Sequence, residues 1–349
     1  MRPLFALSMI AACSTAACVA AEPEPVREIK KVEATEANIR KAVERALPPL
    51  WKGLEGHNDA HSCFACHHHG AALVAFGVAR SRGYDIPEQK LKEQVEFVAA
   101  DLERNRSNFE KGKGPVAPGG GDTDNTGNAL FALAAVGHKP DQATTAVVAY
   151  TLDHQKTRPY WCTLVRRYPT EASSFATTAL NIRGLLAYHT KEQIERSDVR
   201  IAEVRQWLTE TAAKDTEDRV FRLIGLHAAK AESVDLKKAT DELLKSQGKD
   251  GGWSQTEAMA SDPYATATAL YALHTAGGIA VENAEWRRGL LYLLGTQADD
   301  GTWFVKSRSK PVQKYFETGF PHGKDQFISC AATGWATAIL ALATPAPKK

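Results

Sequence analysis

The chain has 349 residues, of which 44% are hydrophobic and 24% charged, and its formal net charge is +2. This composition is that of a globular protein with room for one large domain or two ordinary ones. Basic and acidic residues are mixed along the whole chain, so no basic tract indicates nucleic acid or an anionic membrane surface as a partner.

Residues 1–21 have the pattern of an export signal. Arg2 precedes an apolar run that ends in small residues before Glu22, which suits cleavage at that point. The run is too short and too rich in Ala, Ser and Thr for a membrane span, and no other stretch could cross a bilayer. A lipobox ending at Cys13 is the alternative. The sequence therefore predicts an exported protein, periplasmic or secreted, or else a lipoprotein anchored through Cys13.

After a solvated, flexible leader at 22–35, apolar residues recur with a helical period over 36–343, followed by a short tail at 344–349. Amphipathic helices alternate with Ala-rich apolar helices, and runs with a strand pattern are nearly absent. The amphipathic helices are predicted at 36–51, 88–105, 141–154, 198–213, 235–246 and 283–296, and the apolar ones at 71–82, 124–136, 173–189, 218–230, 264–276 and 329–343. Helices that are apolar around most of their circumference should be buried inside the amphipathic set. We therefore expect one all-α domain of six helical hairpins.

A recurring phrase joins the two helices in three of these hairpins, and in each copy a Gln precedes a Trp by six residues. The most complete copy consists of Arg288, Gly289, Tyr292, Leu293, Gln297, Gly301 and Trp303; the other two pairs are Gln247 with Trp253 and Gln155 with Trp161. The phrase resembles the QW motif of the squalene-hopene cyclase and protein prenyltransferase superfamily. That resemblance implies an (α/α)6 toroid, with six inner helices ringed by six outer ones around a central cavity, and an apolar, isoprenoid-like small molecule as ligand. The Gln and Trp side chains are expected to clamp helix ends to the neighbouring repeat rather than to catalyse.

Cys63-Phe64-Ala65-Cys66-His67 matches the attachment pattern of c-type haem. In that pattern the two thiols bond the haem vinyl groups and the imidazole of His67 is the proximal iron ligand. Two alternatives remain open: a zinc site that uses His61, His67, His68 or His69, and plain thiol or disulfide roles. Candidates for a distal haem ligand are His57, His61, His68, His69 and Met259. A redox protein would also need a redox partner.

Gly121-Asp122-Thr123-Asp124-Asn125-Thr126 lies where the second apolar helix begins. It resembles the Asp-x-Asp-Asp-Thr motif of squalene-hopene and class II terpene cyclases, and by that match Asp124 would be the general acid, with Asp122 beside it. Asn125 departs from the motif, and a single toroid departs from the two that those cyclases have. The alternative is that Asp122, Thr123 or Asp124 caps the helix.

The insertion at 304–328 stands where the last hairpin should have a short turn, and long loops are often functional. Glu317, His322 and Asp325 are its candidates for acid, base or metal ligand. The alternative is a loop that covers one end of the toroid, anchored by Phe316 and Phe320. Cys162 and Cys330, the two remaining cysteines of the mature chain, are candidates for a disulfide.

Two functional hypotheses follow. The first is an exported toroid that carries covalent haem c and acts in electron transfer or in binding an apolar small molecule. The second is a terpenoid cyclase with Asp124 as its acid, and a non-catalytic scaffold is the remaining alternative, because one fold serves many functions.

Overall fold

The computed structural model describes residues 29–116, 122–163, 165–311 and 313–347. The predicted signal, Cys13 and Gly121 lie outside the described residues. Within the described ranges, no helix is both long and apolar enough to cross a membrane.

Helices account for nearly all the regular structure in the described residues. They are α1 Glu36–Ala60, α2 Ala71–Ser81, α3 Glu88–Glu110, α4 Thr123–Ala135, α5 Gln142–Asp153, α6 Ser174–Tyr188, α7 Ile194–Glu210, α8 Thr216–Ala228, α9 Ser233–Lys245, α10 Pro263–Thr275, α11 Ala284–Thr296 and α12 Gln326–Leu342. Two short strands, Trp253–Ser254 and Ser261–Asp262, pair antiparallel. The all-α prediction is confirmed.

The even-numbered helices form a closed inner ring. Each packs on the next, and α12 packs on both α2 and α1, so the last hairpin meets the first. The inner helices are buried almost all round: every residue of α10 from Pro263 to Leu273 is buried. The odd-numbered helices present one apolar stripe inward and their charged residues outward. This arrangement is the predicted toroid of six hairpins.

Three fully buried tryptophans hold the hairpins in the manner predicted for clamps. The indole Nε1 of Trp161, Trp253 and Trp303 donates to the carbonyl ten residues upstream, at 2.8–2.9 Å. The backbone N–H of each Trp donates to a threonine hydroxyl on the following inner helix, at 2.9–3.1 Å. Each tryptophan therefore joins an outer helix end to an inner helix.

Two of the three motif glutamines reach one hairpin further. Gln247 Nε2 donates to the Glu285 carbonyl in α11 at 2.7 Å, and Gln297 Nε2 donates to the Ala42 carbonyl in α1 at 2.8 Å. The second bond closes the ring. Gly301 permits this contact, because its φ is +87° and a Cβ there would lie 2.1 Å from the Arg45 carbonyl oxygen.

Two regions differ from the prediction. The part of the leader over 29–35 is not solvated along its length: Ile29 packs on the core and the Lys30 N–H donates to the Gly295 carbonyl at 3.0 Å. Helix α1 also continues through Gly53 to Ala60, beyond the predicted end at residue 51. Gly53 and Gly56 instead let the insertion approach α1, since a Cβ on Gly56 would lie 2.0 Å from the Thr318 carbonyl oxygen.

The centre of the ring is filled by side chains from four inner helices. Phe131 stacks on Trp335 with ring centroids 6.2 Å apart, and Tyr271 meets Trp335 edge-on at 4.9 Å. The Arg183 guanidinium lies 4.7 Å from the centroid of the Phe131 ring and bonds Tyr271. The central cavity implied by the resemblance is therefore closed at this level.

Candidate functional site

The starts of the inner helices converge at one end of the toroid, which we call the cavity end. A cavity of about 530 Å³ opens there, a volume suited to a small ligand or cofactor. Its walls come from the segment before α2, the segment before α6 and the insertion before α12. These three segments, each of which leads into an inner helix, thus enclose one space.

The Cys-x-x-Cys-His segment forms one wall of this cavity. Cys63, Cys66 and His67 all line it. Residues Cys66–Gly70 form a single π-helical turn that runs directly into α2, and the Cys66 thiol donates to Asn125 Oδ1 at 3.1 Å. Burial raises the pKa of both thiols. All four described cysteines have free thiols, so neither a Cys63–Cys66 nor a Cys162–Cys330 disulfide is formed.

Three of the neighbouring histidines are buried, and each bonds to the protein. His57 Nε2 donates to the Cys63 carbonyl at 2.9 Å, and His69 Nε2 donates to Asn58 Oδ1 at 2.9 Å. His68 Nε2 lies 3.3 Å from the Thr318 hydroxyl. Burial lowers the pKa of His57 to about 4 and the pKa values of His68 and His69 well below their usual range. These neutral rings support the Cys63–His67 wall and the insertion.

His67 differs from them. It lines the cavity, its ring meets those of His68 and Phe327 edge-on at 5.0 and 5.1 Å, and it has no hydrogen-bond partner among the described residues. Burial lowers the pKa of His67 to about 3, so its imidazole is neutral near pH 7. A neutral, unbonded imidazole facing a cavity is available as a ligand to a metal in a cofactor.

Only some of the other predicted ligands line the cavity. Of the distal candidates, His57 and His61 line the cavity whereas His68, His69 and Met259 do not. Across the described parts of the chain, no group of three His, Cys, Asp or Glu side chains is arranged to hold a metal ion. The zinc alternative built on His61, His67, His68 and His69 therefore has no preformed site in this geometry.

A buried ion pair lies at the floor of the cavity, and sequence reasoning missed it. Arg167 Nη1 bonds Glu171 Oε2 at 2.8 Å, and the Glu171 side chain is almost completely buried beside the Cys66 thiol. Burial raises the pKa of Glu171, while Arg167 opposes that shift. The segment carries no motif, so only its position before an inner helix, equivalent to that of Cys63–His67, indicated it in the sequence.

Neither Asp122 nor Asp124 lines the cavity. The Asp124 carboxylate accepts a hydrogen bond from the Thr177 hydroxyl in α6, and Asp124 lies near Glu171 and Cys66 without lining the cavity. Asp122 accepts from the Tyr150 hydroxyl and contacts His154. The Asp122 side chain makes no capping hydrogen bond at the start of α4, so the capping alternative is wrong for Asp122.

Glu317, His322 and Asp325 do not form one site. Glu317 is exposed and bonds Tyr315, His322 Nε2 lies 2.7 Å from the Thr302 hydroxyl, and Asp325 accepts from the Ser307 N–H at 2.8 Å. Of the three, only Asp325 lines the cavity.

The insertion instead forms a wall anchored by two phenylalanines. Phe320 is buried, and the Phe316 ring lies edge-on to His61 at 4.2 Å. Fold and site together define a helical toroid with a ligand-sized cavity at the end where its inner helices start.

Comparison with known proteins agrees with this class. No protein-family model matches the chain. The squalene-hopene cyclase of Bradyrhizobium diazoefficiens is 35% identical over 111 residues, which are 27% of this chain and 16% of that protein. The match thus spans about a sixth of the length of that relative.

Solved structures match over most of the chain. The type II terpene cyclase MstE from Scytonema has a TM-score of 0.55 at 16% identity and covers 88% of this chain and 98% of its own. A glycosidase in complex with glucose has a TM-score of 0.60 at 15% identity and covers 89% and 98%. These likenesses establish an α/α toroid of the kind found in type II terpene cyclases. Two different activities on one fold leave the reaction to be argued from the site.

Proposed function

We propose that the protein is an exported c-type haem protein built on a cyclase-like toroid, with the haem in the 530 Å³ cavity and electron exchange with a redox partner as its activity. The observation that carries the proposal is that Cys63, Cys66 and His67 line the same cavity. The proposal includes export because residues 1–21 are predicted to be an export signal.

The residues present fit this group. Both thiols are free for thioether bonds, and His67 is neutral and unbonded, as an iron ligand must be. Phe64, Phe327 and Ile328 give the cavity apolar walls, which exclude water and so favour a buried macrocycle. When bound, haem supplies one-electron chemistry at the iron.

The surrounding protein holds the Cys63–His67 wall in place. The Phe64 N–H donates to Asp101 Oδ2 at 3.0 Å, and the His57 ring donates to the Cys63 carbonyl. The supporting partners His57 and Asp101 sit on the long outer helices α1 and α3. The two thiols and His67 are therefore presented by rigid elements rather than by a free loop.

The direct test is covalent attachment. The full chain, expressed with haem-maturation machinery, should retain its Soret band after acid-acetone extraction and gain the mass of one haem. Cys63→Ala with Cys66→Ala should lose both signals, and Cys162→Ala, a matched change at a thiol outside the cavity, should keep them. Wild-type protein without covalent haem under these conditions would overturn the proposal.

A second candidate function rests on Asp124. This carboxylate is buried in the first turn of α4 and bonded by Thr177, and the fold is that of type II terpene cyclases. One such cyclase, the Scytonema enzyme, has been solved with geranylgeranyl dihydroxybenzoate as substrate. Because Phe131, Arg183, Tyr271 and Trp335 fill the centre of the ring, a substrate of this chain would have to enter at the cavity end.

The cyclase candidate predicts that the chain converts polyprenyl substrates and that Asp124→Asn abolishes the product. Asp122→Asn, which disturbs the contact with Tyr150 at the outer ring, should retain it. Equal turnover by wild type and Asp124→Asn would remove Asp124 as the acid. A chain that shows neither covalent haem nor turnover would leave the scaffold alternative.

A further inference from the structure

We propose that Lys310, Lys314 and Lys324 form an anion clamp that holds the two propionates of a porphyrin in the cavity. The inference rests on the proposed haem site and deepens it. It assigns a ligand-binding role to the insertion at 304–328, whose predicted acid, base and metal residues do not converge.

The three lysines line the cavity and are exposed at its rim. Some surface lysines pair with carboxylates, as Lys90 does with Glu55 at 2.9 Å. No Asp or Glu oxygen lies within 4 Å of any clamp lysine in the ranges that the structure describes. The insertion thus presents three ammonium groups to one space without a protein counter-charge.

The remaining charged groups of the cavity do not neutralise them. Arg167 is paired with Glu171 at the floor, and the Asp325 carboxylate is bonded by the Ser307 N–H. Among the described residues, four basic and two acidic side chains line the cavity, which leaves an excess of two positive charges. A ligand that carries two negative charges would balance that excess.

The polarity of the cavity orients such a ligand. Phe64 and the buried Cys66 lie on the wall before α2, whereas the lysines lie on the exposed insertion. In haem the vinyl groups and the propionates occupy opposite edges of the macrocycle. Attachment through Cys66 therefore turns the propionates away from the buried wall, and the basic rim is the part of the cavity suited to them.

The test compares ferric mesoporphyrin with its dimethyl ester, each titrated by absorption into protein made without haem maturation. Mesoporphyrin has ethyl groups in place of vinyls, so neither ligand forms thioether bonds, and only the free acid carries the two carboxylates. Wild type should bind the acid roughly tenfold tighter than the ester, the size that three exposed ion pairs supply together. About 1 M NaCl should remove most of that ratio.

A triple variant isolates the clamp. Lys310→Gln, Lys314→Gln and Lys324→Gln together should bring the acid-to-ester ratio close to one. Lys139→Gln, Lys191→Gln and Lys249→Gln change three exposed lysines that do not line the cavity, and together they should leave the ratio near ten. The two triple variants remove the same net charge, so general electrostatic attraction affects both alike.

Three results would overturn the clamp: equal affinity of wild type for acid and ester, an unchanged ratio in the clamp variant, or no binding of either porphyrin. These results are separable from those of the covalent test. Failure of thioether formation leaves the acid-to-ester ratio measurable, and covalent haem together with a ratio of one would reject the clamp alone.

Discussion

The turn at 297–303 and the turn at 61–70 occupy the same place in their hairpins, between an outer and an inner helix, but differ in what they do with polar groups. In the first, the side-chain N–H groups of Gln297 and Trp303 donate to backbone carbonyls, and both side chains are buried. In the second, His67 and the two thiols face a cavity.

The difference shows which junctions between hairpins are held by motif side chains. Gln297 closes the ring by bonding α1, and Gln247 ties α9 to α11, so the closing part of the toroid is held by side chain to backbone bonds. The turn before α2 is held instead by contacts from outside it, through His57, Asp101 and the insertion. A turn supported from outside is free to present its own side chains to a ligand.

The largest effect expected from breaking a clamp is that of Trp303→Ala. Its indole is fully buried and its two N–H groups hold Leu293 and Thr333. We expect a loss of about 3–5 kcal/mol in the free energy of unfolding, as for other buried Trp truncations. Urea denaturation measures it. Trp207→Ala, at a half-buried tryptophan outside the clamps, should cost clearly less, and equal losses would contradict a special role for the motif tryptophans.

The support of the cavity-end turn is tested by Gly56→Ala. The added Cβ would collide with the Thr318 carbonyl, so the insertion must move away from α1. We expect a cost of about 1–3 kcal/mol and faster proteolysis within 304–328. Gly70→Ala is the control, since a Cβ there meets its nearest atom at an ordinary 3.5 Å. An insertion equally protected in both variants would show that α1 does not hold it.

Gln297→Ala tests the hydrogen bonds that close the ring. It leaves the Ala42 and Gly301 carbonyls without their side-chain donor, and both bonds are buried. The expected loss is about 1–3 kcal/mol, the cost of unsatisfied buried acceptors. Gln155→Ala, whose side chain bonds only within its own turn at Cys162, should lose less. A smaller loss for Gln297 than for Gln155 would contradict the ring-closing role.

Periodicity and the QW motif were sufficient to predict the fold. The Ala-rich phrases identified the buried helices because such helices can bury every face, and the Gln-to-Trp spacing located the clamps. The Cys63–His67 segment was found for a similar reason: its chemistry is local in sequence. Each of these signals lies within one hairpin.

Contacts between hairpins could not be predicted from the sequence. Glu171 and Arg167 meet the Cys66 wall only because two turns 100 residues apart share one end of the ring. The closure of the centre depends on four side chains from four helices. The predicted end of the first helix at residue 51 was wrong because Gly53, just beyond it, admits Phe320. A glycine that permits close approach has the same sequence signature as one that ends a helix.

The smallest expected effect concerns the cost of burying a carboxyl group at the start of an inner helix. Glu217, at the start of α8, is buried, and the Tyr264 hydroxyl donates to its Oε1 at 3.0 Å. Burial raises the pKa of Glu217 well above its usual range, and Asp215 adds to that shift. A carboxyl whose pKa is higher in the folded state favours folding below its unfolded pKa of about 4.5 and loses that contribution as the pH rises.

Glu217→Gln keeps an acceptor for Tyr264 and removes the titration. We therefore expect the variant to be more stable than wild type by about 1 kcal/mol or more at pH 7.5, with a difference that shrinks to zero near pH 4.5, because each unit of pKa shift is worth about 1.4 kcal/mol. Urea denaturation across this range measures the difference. Glu210→Gln, at an exposed site, should change stability by less than about 0.5 kcal/mol. A Glu217 variant less stable than wild type at pH 7.5 would show that its neighbours hold the carboxyl ionised and that the ionised form stabilises the fold.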